Sequence, residues 1–369
     1  MKKIIFVALL LLLIGCSNSA RNEPAEAGHN LPGEWRIESG DIQKITNPSD
    51  VIWPSEWKEV LHNGMHSCTI NATVEMDEEP RKTYLVYREL LSEEYIRHVK
   101  DLFLREGKDP RGENAPENAL VEFFHKDYLL LQWGGPEPVS QPERWVLDGE
   151  AAPDEEGHAL NNVTLSQAEA QAKADSFLEK IDLIENLTLI HAEKARIIDS
   201  PSHNTLCEGW EFIYSLKVPG CIPIYFSDKQ LHGQMSIPLH KQAPFGLTEV
   251  IVMVTEDGVM EFCYFNPVRV ELGRSVENEL LTFDSVQRRF RKCFDQGLQS
   301  MTFDETVFDP DVQRFVLSYA LCPVQNAAGE LRPVWIALFT TEYESNLPSN
   351  PLSYVCIDAV TGEVLNPVQ

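Results

Sequence analysis

Two stretches of the chain carry apolar side chains at helical spacing. Ala170, Ala174, Phe177, Leu178 and Ile181 fall at i, i+4, i+7, i+8 and i+11, and Val286, Phe290, Cys293 and Phe294 repeat the first four offsets. Each stretch opens on an apolar residue followed by a hydroxyl, Leu165-Ser166 and Leu281-Thr282. A third start, Leu91-Ser92-Glu93-Glu94-Tyr95-Ile96, has the same form. The hydroxyl in such a start accepts from the first orphan amides while the flanking apolar pair closes over the turn, and Ser166 with Glu169 completes a capping box. The pattern predicts helices beginning at Ser92, Ser166 and Thr282.

After the helices starting at Ser166 and Thr282 the pattern becomes that of strands. The first set runs LTLIHAEKARII, GWEFIYSLKV, TEVIVMVT and MEFCYFNPV, with Asp257-Gly258 as the turn between the last two. The second runs RFVLSYALCPV, RPVWIALFTT and SYVCIDAV, then Thr361-Gly362 and EVL. Each set reads as one helix followed by about four antiparallel strands, so the matching helix offsets predict a repeat. Residues 35–135 are ordered differently, with CTINATVEM and KTYLVYREL before the helix and ALVEFFH and YLLLQWG after it. The stretch 136–163 is acidic and proline-rich and reads as a linker.

The N-terminus gives the chain an address. Lys2 and Lys3 precede an eleven-residue apolar run, Ile4 to Ile14, which stops at Gly15-Cys16. A basic start, a short apolar core and a small residue form the layout of a cleaved secretory signal over residues 1–15. At roughly 1.5 Å per residue the run covers only about half of a ~30 Å hydrocarbon core, so no permanent span is expected from it. Leu13-Ile14-Gly15-Cys16 resembles the lipobox of bacterial lipoproteins, in which the cysteine thiol is acylated and the chain is cut just before it. The resemblance implies lipidation at Cys16 and a membrane anchor of acyl chains, each buried methylene adding about 0.8 kcal/mol. It also implies a place on the extracytoplasmic face of the cell membrane. Beyond Cys16 the residues to 34 are small and polar, so 16–34 reads as a lipidated cysteine and flexible tether.

The helix start LSQAEAQAKADSFL with its strand meander, and the ending VWIALFTT…YVCIDAVTGEVL, resemble the PepSY-like modules of exported Gram-positive proteins. More loosely, tandem modules after a β-rich part resemble lipoprotein relatives of the regulators of the cell-wall-stress sensor kinase. The fold implied is α+β: a β-rich N-terminal α+β region over 35–135, then PepSY-like modules at 164–268 and 269–369, each a helix packed across an antiparallel sheet. The likeness is most specific at Asp358-Ala359-Val360-Thr361-Gly362-Glu363-Val364. There Gly362 supplies the positive φ of a turn, and Asp358 or Thr361 can accept from turn amides. Such modules are generally non-catalytic.

Charge and composition narrow the function. A formal charge of −26 argues against nucleic acid and against a basic surface for anionic lipid, while 43% hydrophobic residues suffice for packed cores in two or three domains. Beyond Cys16 lie Cys68, Cys207, Cys221, Cys263, Cys293, Cys322 and Cys356, with no C-x-x-C and no zinc spacing. Several sit in apolar strand segments, where cysteine behaves as a small hydrophobe, so mostly buried free thiols are expected, with one or two disulfides as the rival.

Candidate chemistry is sparse. His62 and His66 with Cys68 would suit zinc or copper on one helix face, but Asn63-Gly64 interrupts a helix and no acidic residue stands between the histidines. Cys207 with His203 offers a thiol and a base, without any nucleophile motif around them. Asp77-Glu78-Glu79 and Asp154-Glu155-Glu156 read as solvated turns. Trp53 and Trp57, with Trp35, Trp133 and Trp145, would suit a glycan or peptide groove, or equally the core of a small β-rich domain. No catalytic residue, metal or cofactor is expected. The function expected is binding or modulating another exported or membrane protein, with a cell-wall or peptide hydrolase as the alternative.

Overall fold

The computed structural model describes residues 42–45, 53–63, 66–76, 81–108, 120–125, 128–133, 143–146, 163–199, 204–222, 224, 248–296, 311–323, 328–340 and 354–365. In chain order they form β1 (Glu56–Asn63), β2 (His66–Glu75), β3 (Lys82–Arg88), α1 (Glu93–Glu106), β4 (Leu120–His125), β5 (Tyr128–Trp133) and β6 (Glu143–Val146). Next come α2 (Gln167–Lys180), β7 (Leu187–Asp199), β8 (Asn204–Leu216), β9 (Glu249–Thr255), β10 (Gly258–Phe265) and β11 (Val268–Glu277). The last elements are α3 (Phe283–Gln296), β12 (Asp311–Pro323), β13 (Ala328–Thr340) and β14 (Tyr354–Asp358).

The three helix starts form as their spacing predicts. Ser92 Oγ accepts from the Tyr95 amide at 3.1 Å, and Thr282 Oγ1 from the Ser285 amide at 3.3 Å. At Ser166 the box closes in both directions, the Glu169 carboxylate accepting the Ser166 amide at 3.1 Å.

These strands build two seven-stranded sheets. The first is ordered β1-β2-β12-β13-β3-β11. Its β13 is long enough to take β3 along Ala328–Leu331 and β14 along Val334–Leu338 on the edge away from β12. Strand β2 runs parallel to β12, and the sheet's other ladders are antiparallel. The second sheet, β4-β5-β10-β9-β8-β7-β6, is antiparallel throughout.

Helices α1 and α2 lie together on one face of the second sheet. They bury Ile96, Val99, Leu102 and Phe103, and Ala170, Ala174, Phe177 and Leu178, against Leu129, Leu131, Phe212, Val252 and Phe262. Lys180 Nζ meets Glu106 Oε1 at 2.9 Å, and Tyr95 donates to the Ile181 carbonyl at 3.3 Å. Helix α3 covers the first sheet, placing Val286, Phe290 and Phe294 against Trp57, Phe315, Trp335 and Ile357. Beyond β8 the chain joins the sheets. Leu216 and Val218 pack on Tyr84, Val86, Tyr319 and Leu331, and Ser318 Oγ donates to the Ile222 carbonyl at 2.6 Å. No helix among the described residues is long and apolar enough to cross a membrane.

The expected α+β fold, a β-rich N-terminal region followed by two PepSY-like modules, is corrected by this topology. The protein is β-rich, and neither four-strand set is a sheet of its own. Strand β10 continues into β5 and β4, β7 into β6, β12 into β2 and β1, and β13 into β3 and β11. The reason lies in the apolar content of the inner strands. Six of the seven residues of β9, and six of the eight of β10, are buried, on both faces. A strand apolar on both faces belongs inside a sheet rather than at the rim of a small module.

The two turns expected to close the final hairpins are present. Gly258 has φ 118°, and a Cβ there would lie 1.8 Å from the Glu106 carbonyl oxygen, so this position requires glycine both for its backbone and for its closeness to α1. At the C-terminal turn Gly362 has φ 74°, and Asp358 Oδ1 accepts from the Val360 and Thr361 amides at 2.7 and 2.9 Å.

Candidate functional site

Most residues singled out from the sequence are dispersed or buried. Cys16, Trp35, Asp77-Glu78-Glu79, Asp154-Glu155-Glu156 and His203 lie outside the described residues. His62 and His66 belong to two strands of one hairpin. Cys68 stands opposite Leu61 and is fully buried, whereas His62, the next residue along β1, is exposed on the other face of the sheet. Alternation therefore separates His62 from the thiol. Cys207, on β8, packs against Ala195, Ile197, Met253 and Met260.

The tryptophan pair is core. Trp57 is 4% exposed and meets Phe283, Phe290 and Phe315 edge-on at centroid distances of 6.0, 5.5 and 5.3 Å, and Trp53 lies 5.5 Å from Trp335. Among the described residues no disulfide joins Cys68, Cys207, Cys221, Cys263, Cys293, Cys322 or Cys356. Burial pushes Cys293 up to about 12 and Cys322 to about 11, and raises Cys221 and Cys356 as well. A thiol so shifted is a poor nucleophile near neutrality, because the thiolate is the reactive form.

The densest buried polar feature lies on the second sheet, on the face away from the helices. Register aligns Glu193 on β7, Glu211 on β8, Met253 on β9, Glu261 on β10 and Gln132 on β5 in one row across the sheet. All are buried. Gln132 donates to Glu261 Oε2 at 3.2 Å, Cys263 to Glu261 Oε1 at 3.2 Å, and His191 Nε2 stands 3.4 Å from Glu193 Oε1. Among the described residues, no three His, Cys, Asp or Glu side chains are grouped so as to hold a metal ion. The sequence signal for this row is single glutamates inside apolar strands, as in MEFCYF and GWEFIY.

A surface feature that the sequence pattern did not reveal lies at the β11 rim of the first sheet. Strand β11 pairs with β3 on one side and, among the described residues, with no strand on the other. The ladder breaks in its middle: Glu271 faces Leu85 and Ser275 faces Tyr84, so Leu272, Gly273 and Arg274 bulge outward. From Leu272 onward the strand is open on both faces, with Leu272 55% and Val276 65% exposed. The bulge borders a groove of about 430 Å³ lined by Tyr87, Arg269, Val270, Glu271, Leu272 and Arg274. Arg269 lies over the Tyr87 ring at 5.8 Å with Nε 3.5 Å from Glu89, and Arg274 Nε stands 3.4 Å from Glu271. Both ion pairs are largely solvated, so each contributes at most about 1 kcal/mol and exchanges readily. Gly273 within the alternating segment VRVELGRSVE was the available signal, since glycine inside a strand often marks a bulge.

No family model matches the sequence, and no curated protein matches it. Among solved structures, the chain is similar to the crystal structure of an uncharacterized protein from Eubacterium rectale ATCC 33656, at 13% identity and a TM-score of 0.49 over 84% of this chain and 93% of that one.

Proposed function

We propose that this chain is a lipid-anchored extracytoplasmic protein, non-catalytic itself, that binds or modulates another exported protein or peptide. The lipobox ending at Cys16 supports the anchor. The observation that carries the binding role is the β11 rim, where a strand edge unpaired among the described residues, exposed Leu272 and Val276 and an adjoining groove come together. Free strand edges recruit other strands; β11 carries Arg269, Glu271, Arg274 and Glu277 beside the exposed Leu272 and Val276, so the partner that it suits adds to the sheet with side chains both charged and apolar. Cys68 and Cys207 pack among apolar side chains, and strand alternation keeps His62 from the Cys68 thiol.

Two measurements test the reading. Metabolic labelling with a fatty acid should mark the wild-type chain and leave Cys16→Ala unlabelled, as precursor or shed protein; normal acylation of that variant would remove the anchor. Crosslinking on intact cells should trap a discrete exported or membrane protein. A purified chain that turned over an exported substrate, with turnover lost on point changes at one cleft, would overturn the non-catalytic role.

A further inference from the structure

We infer that the β11 rim takes an extended acidic segment of its partner, held as an added strand with its carboxylates on Arg269 and Arg274; this rests on the binding role proposed above. Charge is the first argument. The chain carries −26, yet the β3–β11 ribbon holds Arg81, Lys82, Arg88, Arg269 and Arg274 against Glu89, Glu271 and Glu277, a local surplus of two positive charges. Screening over about 8 Å at physiological salt makes the nearby Arg269 and Arg274, rather than the net charge, the groups whose field a segment bound in the groove feels. The second argument is geometric. Both guanidinia line one groove, and one is held over the Tyr87 ring, an arrangement that presents its donors for planar carboxylate recognition.

Their present carboxylates, Glu89 and Glu271, are at 3.4 to 3.5 Å in exposed pairs, and an incoming carboxylate displaces them at little cost. The third argument concerns the backbone and the apolar side chains. Strand β11 offers the edge that an extended peptide needs, and Leu272 and Val276 flank it as apolar contacts for alternate residues. A segment alternating acidic and apolar residues matches both features. A fluid anionic surface would use the arginines and leave the strand edge without a partner.

The probe is a fluorescein-labelled decapeptide alternating glutamate and valine, titrated by anisotropy against the detergent-solubilised full chain. A counterpart with lysine for glutamate serves as the control. The acidic peptide should bind and weaken as salt rises from about 50 to about 300 mM, and the lysine peptide should not bind. Arg269→Gln with Arg274→Gln should weaken binding about tenfold, the worth of two exposed ion pairs near their upper range. Arg269→Lys with Arg274→Lys should lose less. Circular dichroism should be unchanged in both double variants, since these side chains are 69% and 72% exposed. Equal binding of the lysine peptide, binding indifferent to the double glutamine change, or no binding of the acidic peptide would each overturn the inference. Anionic vesicles competing as well as the peptide would overturn the peptide as occupant. Crosslinking separates this from the wider reading. A partner still trapped by the double glutamine variant sinks the site alone, and no partner trapped by the wild type sinks the binding role.

Discussion

Deleting residues 1–163 leaves both expected modules intact in sequence, yet the remainder, 164–369, should not fold by itself. The deletion removes β1 to β6 and α1. Phe262 and Tyr264 lose the strand that pairs with them at Leu131 and Leu129, Phe177 loses its edge contact with Phe103, and Val259 loses the close cover of Gly107. In the other sheet Phe290 and Phe315 lose Trp57, and Trp335 loses Trp53. Full exposure of one such side chain costs about 1.5 to 3 kcal/mol. If half the surface of these seven is uncovered, the loss is roughly 5 to 10 kcal/mol, as large as the total stability of many domains at about 5 to 15 kcal/mol. The edges of β10 and β12 would be bared at the same time. Near-ultraviolet circular dichroism and dye binding on purified 164–369 should therefore report a chain without fixed packing, and co-expression of 35–163 should rescue it. A cooperative melt of 164–369 alone, with the near-ultraviolet spectrum of the intact chain, would refute the reasoning.

Other perturbations probe single contacts. Phe290→Ala should cost about 3 to 5 kcal/mol in urea unfolding, because the side chain is 1% exposed and packs edge-on against Trp57 and Phe315; a cost under about 1 kcal/mol would mean that α3 is not docked as described. Gly258→Ala should lower thermal stability by more than an exposed turn substitution would, since it forces both a positive φ and a clash with the Glu106 carbonyl; unchanged melting would contradict the turn geometry. Cys293, held at about 12, should label with maleimide at pH 8 far more slowly in the native chain than in urea, as read by peptide mass mapping; equal rates would place it at the surface. For such thiols the unfolded chain releases protons that the folded chain retains, so stability should fall as pH rises above about 9, and stability flat through that range would deny the raised values.

What was legible in the sequence was short-range. Ser92, Ser166 and Thr282 satisfy amides three residues away, and Asp358 satisfies amides two and three residues away, so the local string contains both partners of each bond. The meander β7-β8-β9-β10 was legible through its apolar strands and the Asp257-Gly258 turn. Sheet membership was not, because β5 joins β10 and β2 joins β12 through pairings set by packing of distant segments. The two-sided burial of β9 and β10 was the clue against separate modules: in VIVMV and FCYF no polar face remains for solvent. Strand β11 was missed because its alternation is cut by Leu272-Gly273-Arg274, and the groove arises from that interruption. The tryptophans of IWPSEW were legible as aromatic content, but only the fold places Trp57 among the rings of α3 and β12.

The parallel contact between β2 and β12 sets a timetable for the newborn chain. Ile70 is aligned with Val312, about 240 residues later. At a synthesis rate of about 5 to 20 residues per second, β2 waits roughly 12 to 48 s for its neighbour to be made. Over that interval the hairpin of β1 and β2 has an open edge and no α3 beneath it, so Trp57 and Ile70 stand uncovered. The first sheet is thus completed only once β12, β13 and β14 have been made. Until then its early strands are open to chaperones, to proteases and to mispairing with other chains.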